Sequence, residues 1–314
     1  MTYSIVARDP HSGALGVAVQ SHFFGVGSVA TWARAGVGVV ATRGFAEPSY
    51  GPRGLDRMAT GDDPAKVLEQ LVAQDPGAAF RQVSMISSTG PIAVHTGGSC
   101  IEHAGHVIGL GVAAQGNMLE DPAVWPAMLD AFVHSDSRFA HRLLDALDAG
   151  EAAGGDIRGR QSATILVVAA EETAEPWQGV LVDVRVDDHP DPLTEIRRLL
   201  DIHIAYGRIF ATARQPGLLL GDAAAVASDA LEEAVASLTQ AQEVLGENPE
   251  ASFWLAVILA RAGDIERART CLASAAGVNP ALVRFFRRLP ASGMLPDDPA
   301  LLDAVAPAGG PADA

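Results

Sequence analysis

Near residues 189–193, at HPDPL, the spacing of apolar residues changes from a period of two to a period of three to four, and it does not change back. A strand turns to the opposite face at every residue, whereas a helix returns to one face every three or four, so one pattern cannot serve both. The chain is therefore expected to fold in two parts. Residues 1–190 read as mixed strands and helices, and residues 191–314 as helices alone, with a flexible Pro/Ala/Gly-rich tail, PAGGPADA.

In the first part, TYSIVARD, the turn residues PHSG and LGVAVQSHF read as a hairpin at the N-terminus. VGSVATWAR and VGVVATRGF continue as strands. Two helical stretches follow, YGPRGLDRMATG and DPAKVLEQLVAQD. The second has Val67, Leu68, Leu71 and Val72 at helical spacing, Asp62 or Asp63 as cap, and Pro64 in its first turn. Strands resume with FRQVSMIS and PIAVHTG, and HVIGLGVAAQG reads as one more. A second helical pair, PAVWPAMLDAFVHS and SRFAHRLLDALDAGEAAG, precedes the strands QSATILVVAA and GVLVDVRVDD. Runs of strands interleaved with helix pairs predict an α+β fold, with two antiparallel sheets face to face and a helix pair outside each.

Beyond residue 193, LTEIRRLLDIHIAYGRIFATAR reads as a long amphipathic helix, and AVASDALEEAVASLTQAQEVLG as another. NPEASFWLAVILARAGDIERARTCLASAAGVNP resembles one tetratricopeptide-type helix pair. Leu255, Ala256, Gly263, Ala268, Leu272, Ala275 and Pro280 fall at its small and apolar positions. Such pairs recruit partners, pack on a neighbouring domain or mediate self-association, so a homo-oligomer is expected.

With 38 acidic residues against 22 basic ones, the net charge is −16. Nucleic acid and anionic membranes are poor partners for such a surface, because both need clustered Lys and Arg. Only Cys100 and Cys271 are present, which suits a reducing compartment. The N-terminal MTYSIVARDPHSG has no basic stretch followed by a long apolar run, so no secretory leader is expected, and no apolar run approaches the ~20 residues that span a bilayer. A cytoplasmic location is expected.

Thr2 carries the most chemical information. It is small enough for Met1 to be trimmed, and the mature chain would then hold a hydroxyl and a free α-amine on one residue. Such a residue contains both a nucleophile and its general base. The amine titrates near ~8, so part of it is neutral at working pH. The strand that begins at once would fix this residue on a rigid sheet.

MTYSIVARD, LGVAVQSHF, WARAGVGVVAT, YGPRGL, AVHTG..C, QGNML and GGDIRGRQSA together resemble domain-of-unknown-function family 1028, over roughly residues 1–187. The resemblance implies the N-terminal-nucleophile (Ntn) hydrolase fold, a four-layer αββα sandwich followed by a helical segment. Within the wider Ntn group, the second strand ends in a polar stretch facing the nucleophile, here Gln20–Ser21. The next strand carries a basic residue, usually Lys. The only Lys here is Lys66, on a surface-type helix, so Arg34 or Arg43 would replace it. Arg stays protonated and acts only through its field. The resemblance further implies an oxyanion-binding backbone N–H at Gly44, in TRGF, and a cleft lined by Tyr50, Gly51 and Gly54. Asn117, in QGNM, would donate to the oxyanion or orient the amine. In GGDIRGRQSA, Asp156 would accept from the amine or hydroxyl of Thr2, Ser162 would complete that network, and Gln161 would bind polar groups of the substrate. Each of these also fits an ordinary turn or strand end.

His95 either approaches the cleft or is structural. His103 and His106 form an H-x-x-H pair, but a strand would send them to opposite faces and no zinc-type partner set accompanies them, so no metal is expected. Cys100 reads as a small buried residue. No cofactor is expected. Two functional classes follow: a hydrolase of an amide or related C–N bond in a small molecule or peptide, or a non-catalytic binding protein on the same scaffold, whose helical part holds a partner or cell-wall fragment.

Overall fold

The computed structural model describes residues 2–307, so Met1 and nearly all of the tail PAGGPADA lie outside the described residues. β1 (Thr2–Arg8) and β2 (Leu15–Ser21) form the N-terminal hairpin, paired from Tyr3 opposite Gln20 to Arg8 opposite Leu15. A short helix, α1 (Gly27–Ala30), leads into the hairpin of β3 (Thr31–Arg34) and β4 (Gly38–Gly44). VGSVATWAR, expected as strand throughout, is thus helical in its first half. Ser162 Oγ accepts from Val26 N at 3.2 Å, and Ala30 N donates to Val26 O at 3.0 Å, so these groups are satisfied outside any ladder.

α2 (Tyr50–Ala59) and α3 (Pro64–Gln74) make the first helix pair. Asp63 caps α3, its Oδ1 accepting from Ala65 N at 2.8 Å, and Pro64 stands where no helical N–H is needed. Asp62 instead pairs with Arg57 and Lys66. β5 (Arg81–Ser87) and β6 (Ile92–Thr96) form a hairpin, as do β7 (Gly105–Gly109) and β8 (Val112–Asn117). HVIGLGVAAQG, expected as one strand, is therefore two: Gly111, at φ +69°, reverses the chain after Leu110. α4 (Val124–His134) and α5 (Phe139–Ala152) precede β9 (Ser162–Val168) and β10 (Val180–Val186). The helical series comprises α6 (Pro192–Ala213), α7 (Ser228–Leu245), α8 (Glu250–Arg261), α9 (Ile265–Val278), α10 (Ala281–Phe286) and α11 (Pro299–Val305). Among the described residues no helix is long and apolar enough to cross a membrane.

The strands build two wholly antiparallel sheets. The larger has the order β10-β9-β2-β1-β8-β7 and the smaller β3-β4-β5-β6. One buried cluster unites Val6, Leu15, Val17, Val19, Ala113 and Val168 of the larger sheet with Val39, Ala41 and Ile86 of the smaller. The outer face of the smaller sheet, with Val40, Val83 and Met85, packs on Leu55 and Met58 of α2 and Val67, Leu68 and Leu71 of α3. On the outer face of the larger sheet, a Cβ at Gly16 would strike Leu143 and Phe139 of α5, which shows how closely that helix lies on β2.

The chain divides into two compact units, one running to Leu200 and the other beginning at Asp201. Leu193, Ile196 and Leu200 of α6 are buried, and Arg197 bonds Asp145 and Asp148 at 2.9 and 2.5 Å within the first unit. In the second unit, Leu238, Ala241, Phe253, Leu255, Ala256, Ala268, Leu272 and Ala275 share one core with residues of the last helices. Asp264 caps α9 by accepting from Arg267 N at 3.2 Å.

Candidate functional site

The strands that supply the inter-sheet core change character toward one end. Following each inward face at its period of two, Val6 gives way to Ser4 and Thr2, Val19 to Ser21, and Ala41 to Arg43. On the remaining strands Ile86 gives way to Ser84 and Gln82, Ala113 to Gln115 and Asn117, and Leu166 to Thr164 and Ser162. All ten of these polar residues are buried. Water competes poorly for such groups, so their own hydrogen bonds fix where each one points.

Thr2 begins β1 opposite Asn117 of β8. On its other side its Oγ1 lies 2.9 Å from Ser21 Oγ, and Ser21 stands opposite Ser162 of β9. Four polar side chains thus cross the larger sheet in a row. The smaller sheet answers with Arg43 and Gln82, themselves register partners on β4 and β5. Gln82 Nε2 donates to Gly116 O at 2.8 Å and Gly105 O at 3.0 Å, while its Oε1 accepts from Asn117 Nδ2 at 3.0 Å. Gln115 Nε2 donates to Ser84 Oγ at 2.8 Å. These bonds tie the two sheets together beside Thr2.

Arg43 donates from Nη1 to Gln115 O at 3.0 Å, but its Nε and Nη2 are buried without a hydrogen-bond partner. Burial pushes the guanidinium down to about 9, which leaves it charged at neutral pH. Ser4 Oγ and Gln115 Oε1 are likewise buried and unpartnered.

A cavity of about 310 Å³ opens at this polar end. Thr2, Ser21, Thr42, Arg43 and Gly44 line it together with apolar Phe23, Val26, Val29, Phe45 and Pro48. Gly44 takes φ +84°, and a Cβ there would lie 2.2 Å from Phe80 O, so only glycine fits the turn from β4 into the rim. The rim is braced from behind. Asp75 accepts from Arg81 Nε at 2.8 Å, Tyr50 Oη at 3.2 Å and Gly77 N at 2.8 Å, and Arg81 Nη1 bonds Phe45 O. The hydrogen bond from Arg81, against the opposing effect of burial, holds the Asp75 carboxyl below its usual range.

The structure thus gathers Thr2, Ser21, Arg43 and Gly44 around one cavity, with Asn117 beside Thr2 in the ladder. Asp156 and Ser162 serve the neighbouring wall. Asp156 Oδ2 accepts from His22 N at 3.0 Å, its Oδ1 accepts from Arg158 N at 3.0 Å, and it pairs with the Arg158 guanidinium. Ser162 Oγ donates to Phe23 O at 2.5 Å and accepts from Val26 N. Both thereby shape the segment between β2 and α1.

Other expected site residues lie elsewhere: Gly51 and Gly54 are buried within α2, where a Cβ would strike Trp32 and Met85 respectively. Tyr50 is in the core between α2 and the smaller sheet, where burial and then Asp75 push its phenol up to about 12. His95 is on the outward face of β6, its Nε2 2.9 Å from Ala78 O, and lines a hollow beside α3. Gln161 extends the ladder, its N donating to Ser21 O, and its amide turns away to Asp188. Arg34 pairs with Asp56 on the surface. Cys100 is half-buried, its thiol pushed up by burial. Among the described residues no group of three or more His, Cys, Asp or Glu is placed to hold a metal. Gln82, Ser84 and Gln115 belong to this layer as well, and each alternates with an apolar neighbour in the sequence in the way a buried polar layer requires.

Comparison with known proteins bears on this arrangement. A tetratricopeptide repeat model matches residues 225–282. No curated protein matches the chain. A crystal structure of protein SPO2555 from Silicibacter pomeroyi, assigned to DUF1028, is similar at 33% identity and a TM-score of 0.58, covering 63% of this chain and 87% of that one. Anbu, the ancestral beta-subunit from Yersinia bercovieri, is 12% identical with a TM-score of 0.33, covering 69% of this chain and 100% of its own, a likeness too slight to bear on function. The model of the family of unknown function DUF1028 matches residues 2–196, the span that holds both sheets and the cavity, and the chain belongs to that family.

Proposed function

We propose that this chain is an N-terminal-threonine hydrolase of an amide or related C–N bond in a small molecule or peptide. Its first unit would be a four-layer αββα sandwich of the Ntn type. The observation that carries the reading is the position of Thr2: it opens the first strand, and its hydroxyl sits on Ser21 in the lining of a cavity that also contains Arg43 and Gly44.

With Met1 removed, Thr2 Oγ1 attacks the substrate carbonyl and the α-amine takes its proton. The developing oxyanion is held by Gly44 N–H and by the second amide hydrogen of Asn117, the first being engaged by Gln82. Collapse of the tetrahedral species breaks the C–N bond, and the leaving amine takes the proton from the α-ammonium. Water then hydrolyses the acyl ester by the same proton relay. Ser21 orients the hydroxyl, and Arg43 adds positive field without moving a proton. Asp156 positions the chain after Ser21 through His22 N.

Intact mass of the purified protein should show a chain beginning at Thr2. A β-lactone should label it at that residue, and Thr2→Ala should abolish labelling while shifting stability by only about 1 kcal/mol. A retained or acetylated Met1, or equal labelling of both proteins, ends this reading. One observation favours a binding protein instead: Arg43 cannot exchange its proton as a lysine could. That reading expects slow labelling of the wild type, little changed by substitutions around Thr2, and a partner or cell-wall fragment held by the helical unit.

A further inference from the structure

The cavity beside Thr2 combines two features that rarely share one lining. Its walls are largely apolar, with Phe23, Val26, Phe45 and Pro48 among them. Among the described residues its one charged lining side chain is Arg43, 2% exposed, with Nε and Nη2 buried and unpartnered. A buried cation is costly unless an anion faces it. Among the described residues the group that the Arg43 side chain bonds is a neutral carbonyl, Gln115 O. Three acidic residues around the site are already engaged: Asp156 by Arg158 and His22, Asp75 by Arg81, Tyr50 and Gly77, and Glu47, beside the lining residues Ala46 and Pro48, by Ser49 N. Among the described residues no acidic group bonds Arg43, so its charge acts on whatever fills the cavity that it lines.

We infer that the ligand of this cavity bears a carboxylate that pairs with Arg43 and an apolar group that packs against the Phe and Val walls, as an N-acyl amino acid would. A guanidinium can offer a carboxylate two parallel donors, a match that an ammonium lacks. The apolar walls exclude water from the pair and strengthen it. Acting as a hydrolase on such a ligand rests on the reading proposed above, whereas binding it does not.

Calorimetric titration of the full chain with N-acetyl-L-phenylalanine and with its carboxamide tests the inference, since the two differ only in the charged group. Thr2→Ala is titrated in parallel, so that no chemistry at Thr2 contributes. The acid should bind at least tenfold more tightly than the amide, in the wild type and in Thr2→Ala alike. In Arg43→Met, and in Arg43→Gln should the first not fold, the preference should disappear. Equal affinity for acid and amide in the wild type, a preference that survives the loss of Arg43, or no binding of either at millimolar concentration overturns the inference. Acid preference in a protein whose Thr2 resists β-lactones would uphold the inference and remove the hydrolase reading, so the two fail separately.

Discussion

At Arg43 the needs of stability and of a binding site oppose each other. Its guanidinium is buried with one hydrogen bond where its donors could make several. Replacing an uncompensated buried charge with an apolar chain of similar length relieves its desolvation. Arg43→Met should therefore hold or raise stability to denaturant, by up to about 1–2 kcal/mol, on the scale seen when buried charges are replaced. A loss of more than that amount would show the charge to be structurally compensated after all. Asn117 and Asp156 make the converse case: each is hydrogen-bonded in place, and the proposed mechanism gives each a part at Thr2. Asn117→Ala and Asp156→Asn should each slow β-lactone labelling of Thr2 by ~10²-fold or more, the scale of one oxyanion donor or orienting group. Neither should add to the effect of Thr2→Ala, because members of one catalytic unit are not additive. Unchanged labelling in both single variants would separate Thr2 reactivity from the site described here.

Among the elements, the junction of α2, α3 and β5 has the most to lose from a single change. Asp75 joins Tyr50 of α2, Gly77 after α3 and Arg81 of β5, and through Arg81 it reaches Phe45 on the cavity rim. Because its carboxyl lies below the ordinary range in the folded protein, its contribution to stability is complete above the unfolded value near ~4 and is lost as the pH falls through the lower folded value. Asp75→Asn should cost about 1–3 kcal/mol at pH 7, the cost of leaving a buried charged partner unsatisfied. The difference from wild type should shrink as the pH drops below ~4. Urea titrations at pH 7 and pH 3 check this, and a difference that grows on acidification would contradict the assignment. The helical half of VGSVATWAR and the hairpin inside HVIGLGVAAQG depend on Ser162, on Gly111 and on neighbouring strands, none of which a local period reports.

For the whole molecule, the place where the chain divides has a mechanical consequence. The period change lies at 189–193, yet the first compact unit runs on to Leu200. Leu193, Ile196 and Leu200 are buried, and Arg197 bonds Asp145 and Asp148 on α5. Burial of each apolar side chain contributes roughly 1.5–3 kcal/mol. A chain ended after Leu200 should therefore melt as one cooperative unit, while one ended before Pro190 should melt several degrees lower or unfold. Equal melting temperatures for the two would place the boundary at the period change itself.

Local sterics and side-chain periodicity were readable directly in the amino-acid order, and they carried the two-part division, most strands and helices, the N-terminal hairpin and the chemistry available at Thr2. The buried polar layer was legible in principle too, in the alternation of Gln82 and Ser84 within FRQVSMIS and of Gln115 and Asn117 within QGN. What periodicity does not contain is which face of a strand meets which other strand. Tyr50 and His95 sit close in sequence to the site motifs but belong to the outward side of the smaller sheet, whereas Gln82 faces Asn117 across 35 residues. Only the tertiary structure decided that, because register and facing are settled by packing between distant segments, which acts when the two sheets close on each other.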